Sequence, residues 1–374
     1  MILSLILRRL VVALPLGLAA IVSAPALAND SVYGGCSGTM SGLDGRATCV
    51  PKKTNQIALV DEKLTLTQTL QGWEVVALYT LTHTGKTALS VPVGFPVSDP
   101  YEPGDEEESE TRDTKPPLPD YRVLVDGKKL DFTIFFPANQ GDAKAKKAAE
   151  DYGYDAVYLV DVPFEPGQTR VLEHRYTHSA SMNSIGLHWV NYILRTGGHW
   201  KGGTIGRIVA NVVMNVPIAP GCHGMSLPGW KWLPESRTMQ FEATNWKPTK
   251  DLQATWVDAN HRAGPETESW AEAADSTFAQ LLEGGDALAK AKSPKLLALY
   301  EAILGFYRAT PGAKPSESIV EGEFCEAGLE YAKPGAADPR LRLDEIEGDV
   351  GKLLVMLDAE LARRKVAHPA LPPR

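Results

Sequence analysis

The chain is short of the signatures that announce a reaction. Its 374 residues hold four cysteines and no C-x-x-C pair, so thiolate zinc lacks its usual spacing. There is no G-x-S-x-G and no H-E-x-x-H, which leaves out the nucleophile elbow and the helical zinc-protease motif. The glycines of 197–206 are followed by no G-K-[ST], so they are not a phosphate loop. No basic tract occurs: 38 Lys and Arg stand against 46 Asp and Glu, a net charge of −8. That balance argues against nucleic acid and against anionic membrane surfaces. Beyond the first 28 residues, no apolar run approaches the about 20 residues that span a bilayer. No repeat of fixed period is found, and no motif implies a cofactor.

What is present begins with a leader. Arg8 and Arg9 precede the apolar run Leu10 to Val22, and Ala26-Leu27-Ala28 supplies small residues before Asn29. Residues 1–28 therefore read as a Sec-type signal peptide cut after Ala28, and the expected location is the periplasm or the exterior. Its removal takes away two arginines and no acids, which deepens the charge from −8 to −10. An oxidising compartment suits disulfides among Cys36, Cys49, Cys222 and Cys325. Three pairings are open. Cys36–Cys49 would close a short Gly/Ser-rich loop, contributing about 3 kcal/mol in the chain-entropy account. Cys222–Cys325 would tie the β-rich part to the tail.

After the leader, 29–55 is a turn-rich lead segment whose order is expected to depend on a disulfide. Residues 56–263 read as short strands with turn signals, which predicts antiparallel β-sandwich-like lobes. Trp73 to Thr82 alternates β-formers. Val91-Pro92-Val93-Gly94-Phe95-Pro96 reads as a strand broken early by proline. The stretch 99–120 is an acidic, Pro-rich loop, expected to stay solvated. Tyr121 to Phe136 reads as a hairpin about Asp126-Gly127, a pair suited to a type I′ turn. Asp142 to Asp151 reads as a short helix. Ile185–Arg195 and Ile205–Val216 read as a hairpin with a glycine-rich turn, and Pro217–Pro234 as a loop. From 266 to 368 the spacing turns helical, over Leu296–Tyr307 and Leu343–Leu361 among others. The fold class is mainly β with a C-terminal α-helical segment.

Three clusters are candidates for chemistry. In a strand, His174, Tyr176 and His178 share a face. With a carboxylate from elsewhere, His174 and His178 could hold zinc or copper; the bland alternative is a polar surface row. His199 and Trp200 sit in the glycine-rich turn, where a tryptophan can stack on a sugar ring or fold back over a strand end. Trp230 and Trp232 could line a groove, or could be ordinary burial.

With these stretches in view, the chain resembles a family of exported bacterial proteins, domain of unknown function 4424. The resemblance covers about 29–257. It rests on Asn29-Asp30-Ser31, on Phe95-Pro96-Val97-Ser98-Asp99, and on Pro166-Gly167 leading to Glu173-His174-Arg175-Tyr176. Tyr192-Ile193-Leu194-Arg195-Thr196-Gly197-Gly198-His199-Trp200 follows, then Cys222, Phe241-Glu242, Asn245-Trp246, Pro248 and Asp251-Leu252. The turn after Trp200 is one residue longer than in the family pattern, and the pair Cys36 and Cys49 is extra. The resemblance implies a secreted, mainly β protein and carries over no catalytic residue.

The leading expectation is a non-enzymatic, ligand- or partner-binding envelope protein with His199, Trp200, Trp230 and Trp232 as contacts. The partner would be an envelope glycan or another exported protein. The alternatives are a metal-dependent hydrolase using His174 and His178, and a purely structural envelope domain.

Overall fold

The computed structural model describes residues 26–28, 30–34, 49–69, 72–98, 116–118, 120–179, 181–182, 187–260, 278–307, 341–346 and 348–374. Cys36 and Cys325, the acidic run 105–108 and the leader up to residue 25 lie outside them.

The protein is mainly β, with antiparallel pairing predominating, as the alternation predicts. One large sheet holds eight strands in the order Lys231–Leu233, Thr238–Trp246, Ile205–Val213, Ile57–Thr69, Gly72–His83, Thr169–Ser179, Arg122–Val125 and Lys128–Lys129. One of its pairings, Ile205–Val213 on Ile57–Thr69, is parallel. Two five-stranded sheets complete the β part. The first runs Val50–Pro51, Ser31–Gly34, Leu89–Val97, Ala156–Phe164, Thr133–Phe135. The second runs Ala26–Ala28, Leu187–Ile193, Leu252–Asp258, Ile218–Met225, with Ser181–Met182 beside Leu187–Ile193.

Period-two patterning builds the core. In Gly72–His83 the residues Trp73, Val75, Ala77, Tyr79, Leu81 and His83 are buried, while Glu74 is exposed. Trp73, Val75, Ala77, Tyr79 and Leu81 meet residues of both smaller sheets in one apolar cluster, among them Phe95, Tyr158, Tyr192 and Trp256. The opposite face of the second small sheet is apolar too. Leu187, Val257 and Ala259 join the helices Phe278–Glu283, Asp286–Lys290, Ser293–Phe306 and Gly348–Arg363 in a separate cluster. Arg237 reaches Glu345 at 3.2 Å, and Asn260 donates to the Glu345 carbonyl at 3.0 Å. Among the described residues, no helix is long and apolar enough to cross a membrane.

Several expectations change. Leu187–Ile193 and Ile205–Val213 are not a hairpin, since they belong to different sheets. Residues 195–203 are two successive 3₁₀ turns that carry the chain between layers, with Gly202 at φ 81° and Gly203 at φ 68°. Strands on either side of 164–169 and of 246–252 also change sheet. The type I′ turn is present, with φ 51° at Asp126 and 76° at Gly127. The chain then leaves, however, and Thr133–Phe135 pairs with Ala156–Phe164 instead. Leu89–Val97 continues through both prolines. Successive N–H groups in a strand point to opposite edges, so prolines four apart leave one ladder intact. The stretch Pro217–Pro234 contains the strands Ile218–Met225 and Lys231–Leu233, not a loop alone. The predicted helix is Ala143–Tyr152, capped by the Asp142 carboxylate.

Candidate functional site

The lead segment supplies polar groups to the core. Asp30 and Ser31 are both fully buried, and Tyr33 nearly so. The strand Ser31–Gly34 enters the core because Gly94 lets it approach; a Cβ there would stand 2.3 Å from the Tyr33 ring. Its start is therefore a core element, not a loose one. His174, 1% exposed, meets the Asp30 carboxylate through Nε2 at 2.7 Å and the Tyr121 hydroxyl through Nδ1 at 2.5 Å. A neutral ring satisfies both if Tyr121 donates to Nδ1 and Nε2–H donates to Asp30. Phe95 stacks on the imidazole at 4.7 Å. Burial raises the Asp30 pKa, and His174 opposes the rise by attraction and hydrogen bonding.

Around this pair the other motifs converge. The Trp200 indole N–H donates to the Asp30 carbonyl at 3.0 Å. Ser31 Oγ lies 3.0 Å from His199 Nδ1, and the Tyr152 hydroxyl lies 3.0 Å from His199 Nε2. Asp251 accepts from the Leu194 and Arg195 amides at 2.8 and 3.0 Å and from the Arg195 Nε at 2.7 Å. Burial, then Lys53, lowers the His199 pKa.

This placement corrects two readings. Trp200 is 1% exposed, so it is no loop-tip aromatic; the 3₁₀ turns direct it into the core, where its indole N–H finds a buried carbonyl. His174 and His178 do share a face, but it is the inner face: Leu172, His174, Tyr176 and His178 are buried in alternation. They are not a surface row. Both nitrogens of His174 are occupied. Among the described residues, no group of three or more His, Cys, Asp or Glu side chains is arranged to hold a metal.

A second cluster lies at one end of the sandwich. His178 is directly opposite Trp73 in the large sheet, and Trp256 is flanked in register by His188 and His223 in the second small sheet. Trp73 meets Trp256 edge-on at 5.3 Å, closing the gap between the sheets. Trp232 and Trp230, both half-buried, contact the His223 ring at 4.7 and 5.7 Å. His188 stacks on Trp256 at 5.4 Å and is also half-buried, so the cluster reaches the surface at both flanks.

The polar atoms here are left over. His223 is 3% exposed, and neither ring nitrogen has a hydrogen-bond partner among the described residues. Trp256 Nε1 and His178 Nε2 also lack one. His178 Nδ1 sits 2.7 Å from the Ser179 carbonyl. That nitrogen must carry the proton, so Nε2 presents a lone pair in the neutral ring. Burial alone lowers the His223 pKa to about 4, and burial also lowers that of His178. The cluster is thus uncharged near neutrality and offers donors and acceptors together. Sequence reading named Trp230 and Trp232 but missed His223, Trp256 and Trp73. Trp73 and Trp256 lie in stretches with a strand pattern, whereas His223 lies in the stretch that reads as a loop and is in fact the strand Ile218–Met225; which strands face each other is not visible in the sequence.

Of the cysteines, Cys49 is fully buried, and no described cysteine is free. No family model and no curated protein matches the chain. Among solved structures, a Legionella pneumophila protein provisionally described as nutrient-binding is 18% identical, with a TM-score of 0.48 over 90% of this chain and 98% of its own. An M1 zinc metallopeptidase from Deinococcus radiodurans is 10% identical, with a TM-score of 0.27 over 55% of this chain and 44% of its own. Leukotriene A4 hydrolase from Saccharomyces cerevisiae is 9% identical, with a TM-score of 0.30 over 60% and 36%. The chain spans less than half the length of the two enzymes, and at these scores none of the three likenesses assigns a function.

Proposed function

We propose that the protein is an exported, non-enzymatic binding protein of the envelope, and that its ligand enters at the end of the sandwich lined by His223, Trp230 and Trp232. The observation that carries this reading is the buried His223 with both ring nitrogens unpartnered. An unsatisfied buried donor or acceptor costs about 1–3 kcal/mol, a cost that a ligand with complementary groups removes. His199 and Trp200 leave the contact set, because they are tied to Ser31, Tyr152 and Asp30.

Membership of domain of unknown function 4424 belongs to the same proposal. Its support is spatial: Asp30, Phe95, His174 and Trp200, drawn from separate sequence blocks, touch one another or share a partner. Export by a signal cut after Ala28 and the pairings Cys36–Cys49 and Cys222–Cys325 complete it.

Two experiments test the reading. Fractionation with N-terminal sequencing of the mature chain should place it outside the cytosol, starting at Asn29. Purified protein dialysed against periplasmic extract should retain a small molecule detectable by mass spectrometry, and Trp232→Ala should lose it. Identical retained molecules in wild type and variant would remove the site.

A further inference from the structure

The chemistry of the sandwich end narrows the ligand. Its buried polar atoms without a partner among the described residues are the two His223 nitrogens, His178 Nε2 and Trp256 Nε1. All belong to rings that are neutral near pH 7, and burial is what lowers the His223 pKa. Trp73 and Trp256 form the inner wall, and Trp230 and Trp232 cover His223 from the outside.

Each ligand class meets this surface differently. An anion calls for a cation or a protonated histidine, and burial keeps both histidines neutral. A divalent metal calls for three or more His, Cys or carboxylate ligands in reach, and the described residues hold no such group. A wholly apolar ligand would leave the nitrogens as unsatisfied as before. A polyol ring meets the demand on both sides: its C–H faces lie against indoles, and its hydroxyls donate and accept.

We propose that the ligand is a neutral sugar, stacked against Trp230 and Trp232 and hydrogen-bonded by His178, His223 and the Trp256 indole. The assignment rests on the ligand-binding reading above and goes beyond it in naming the class. Both outer indoles must turn to admit the ring, because His223 is 3% exposed with them in place. Binding therefore changes the environment of the residues that fluoresce.

The test is a titration of the full mature chain, followed by tryptophan fluorescence and calorimetry. The probes are glucose, N-acetylglucosamine, maltose and cellobiose, with glucose 6-phosphate, glutamate and zinc chloride as charged counterparts. At least one neutral sugar should bind saturably, with affinity little changed by added salt. Trp232→Ala and His223→Phe should each weaken it about tenfold or more, a loss of about 1.4 kcal/mol. His223→Gln, which keeps a donor and an acceptor, should lose less, and Val171→Thr on the outer face should lose nothing. Saturable binding of only a charged probe, abolished by Trp232→Ala, overturns the sugar assignment and leaves the ligand-binding reading standing. Sugar binding indifferent to Trp232→Ala and His223→Phe overturns the site. Binding of no probe, with ordered water on the His223 and Trp256 nitrogens in a high-resolution crystal structure, overturns the assignment as well, because water then satisfies those atoms.

Discussion

Asp30 and His174 stand 144 residues apart in the chain and meet at 2.7 Å in a fully desolvated contact. The contact joins the lead segment to the middle of the large sheet. It explains why residues directly after the expected cleavage point pack as core. Asp30→Ala would leave the His174 Nε2–H facing a void, and a buried donor left without its acceptor costs about 1–3 kcal/mol. Asp30→Asn keeps an acceptor oxygen of the same reach and should cost markedly less. Urea unfolding of the mature chain measures both. A loss under about 1 kcal/mol for Asp30→Ala, the level of a surface pair, would mean the contact does not hold the segment.

Trp200 and Trp232, two of the three tryptophans expected as contacts, should separate under mutation. Trp200 is buried among core residues and hydrogen-bonded to the Asp30 carbonyl. Trp200→Ala should destabilise by about 3–5 kcal/mol, the usual range for removing a core aromatic. Trp232 is half-buried on a three-residue edge strand, so Trp232→Ala should cost little stability and act on binding. Thermal melts paired with the sugar titration decide it. A Trp200→Ala protein of near wild-type stability would contradict the core assignment.

How much of this could be read from the chain alone follows from what periodicity encodes. Alternation marked which residues of Gly72–His83 and Thr169–Ser179 turn inward, and Asp126-Gly127 marked a turn through its backbone demands. The mainly β class followed. Sheet membership did not, because a tight turn and a crossing between layers use the same glycines. The segment around Trp200 reads as a hairpin for that reason. Polarity misled at His174 as well: a histidine alternating with Tyr176 looks like a solvated row until Asp30 and Tyr121 are seen to take its nitrogens. The sandwich end was illegible because its rings come from strands far apart in sequence, and only their register brings Trp256 between His188 and His223.

Acid should weaken the fold through His223. Its folded pKa is lowered from 6.5 to about 4 by burial, so the unfolded chain binds a proton that the folded chain refuses. The contribution is fully present above the unfolded value of 6.5 and is lost as pH falls through about 4. The lost stability is about 3 kcal/mol from this group. The lowered pKa values of His178 and His199 act in the same direction. Urea midpoints measured from pH 7 to pH 4 should fall for wild type and fall less steeply for His223→Gln. Parallel acid limbs in the two proteins would show that His223 titrates normally in the fold.

His223→Phe sets the binding reading apart from a structural one. If the histidine served only the fold, an apolar ring in its place would be neutral at best. The structure instead gives it two unpartnered nitrogens within a shell of tryptophans. Replacing an unsatisfied buried polar ring by an apolar one of similar shape removes a desolvation cost of about 1–3 kcal/mol, less whatever the slightly larger ring costs in crowding. The variant should therefore melt higher than wild type at pH 7 while binding sugar about tenfold or more weakly. A stability gain joined to a binding loss is what a residue retained for function produces, since proteins tolerate such costs where a ligand repays them. Higher stability with unchanged binding would take His223 out of the binding site. Lower stability would mean that its nitrogens are satisfied in solution and call for no ligand.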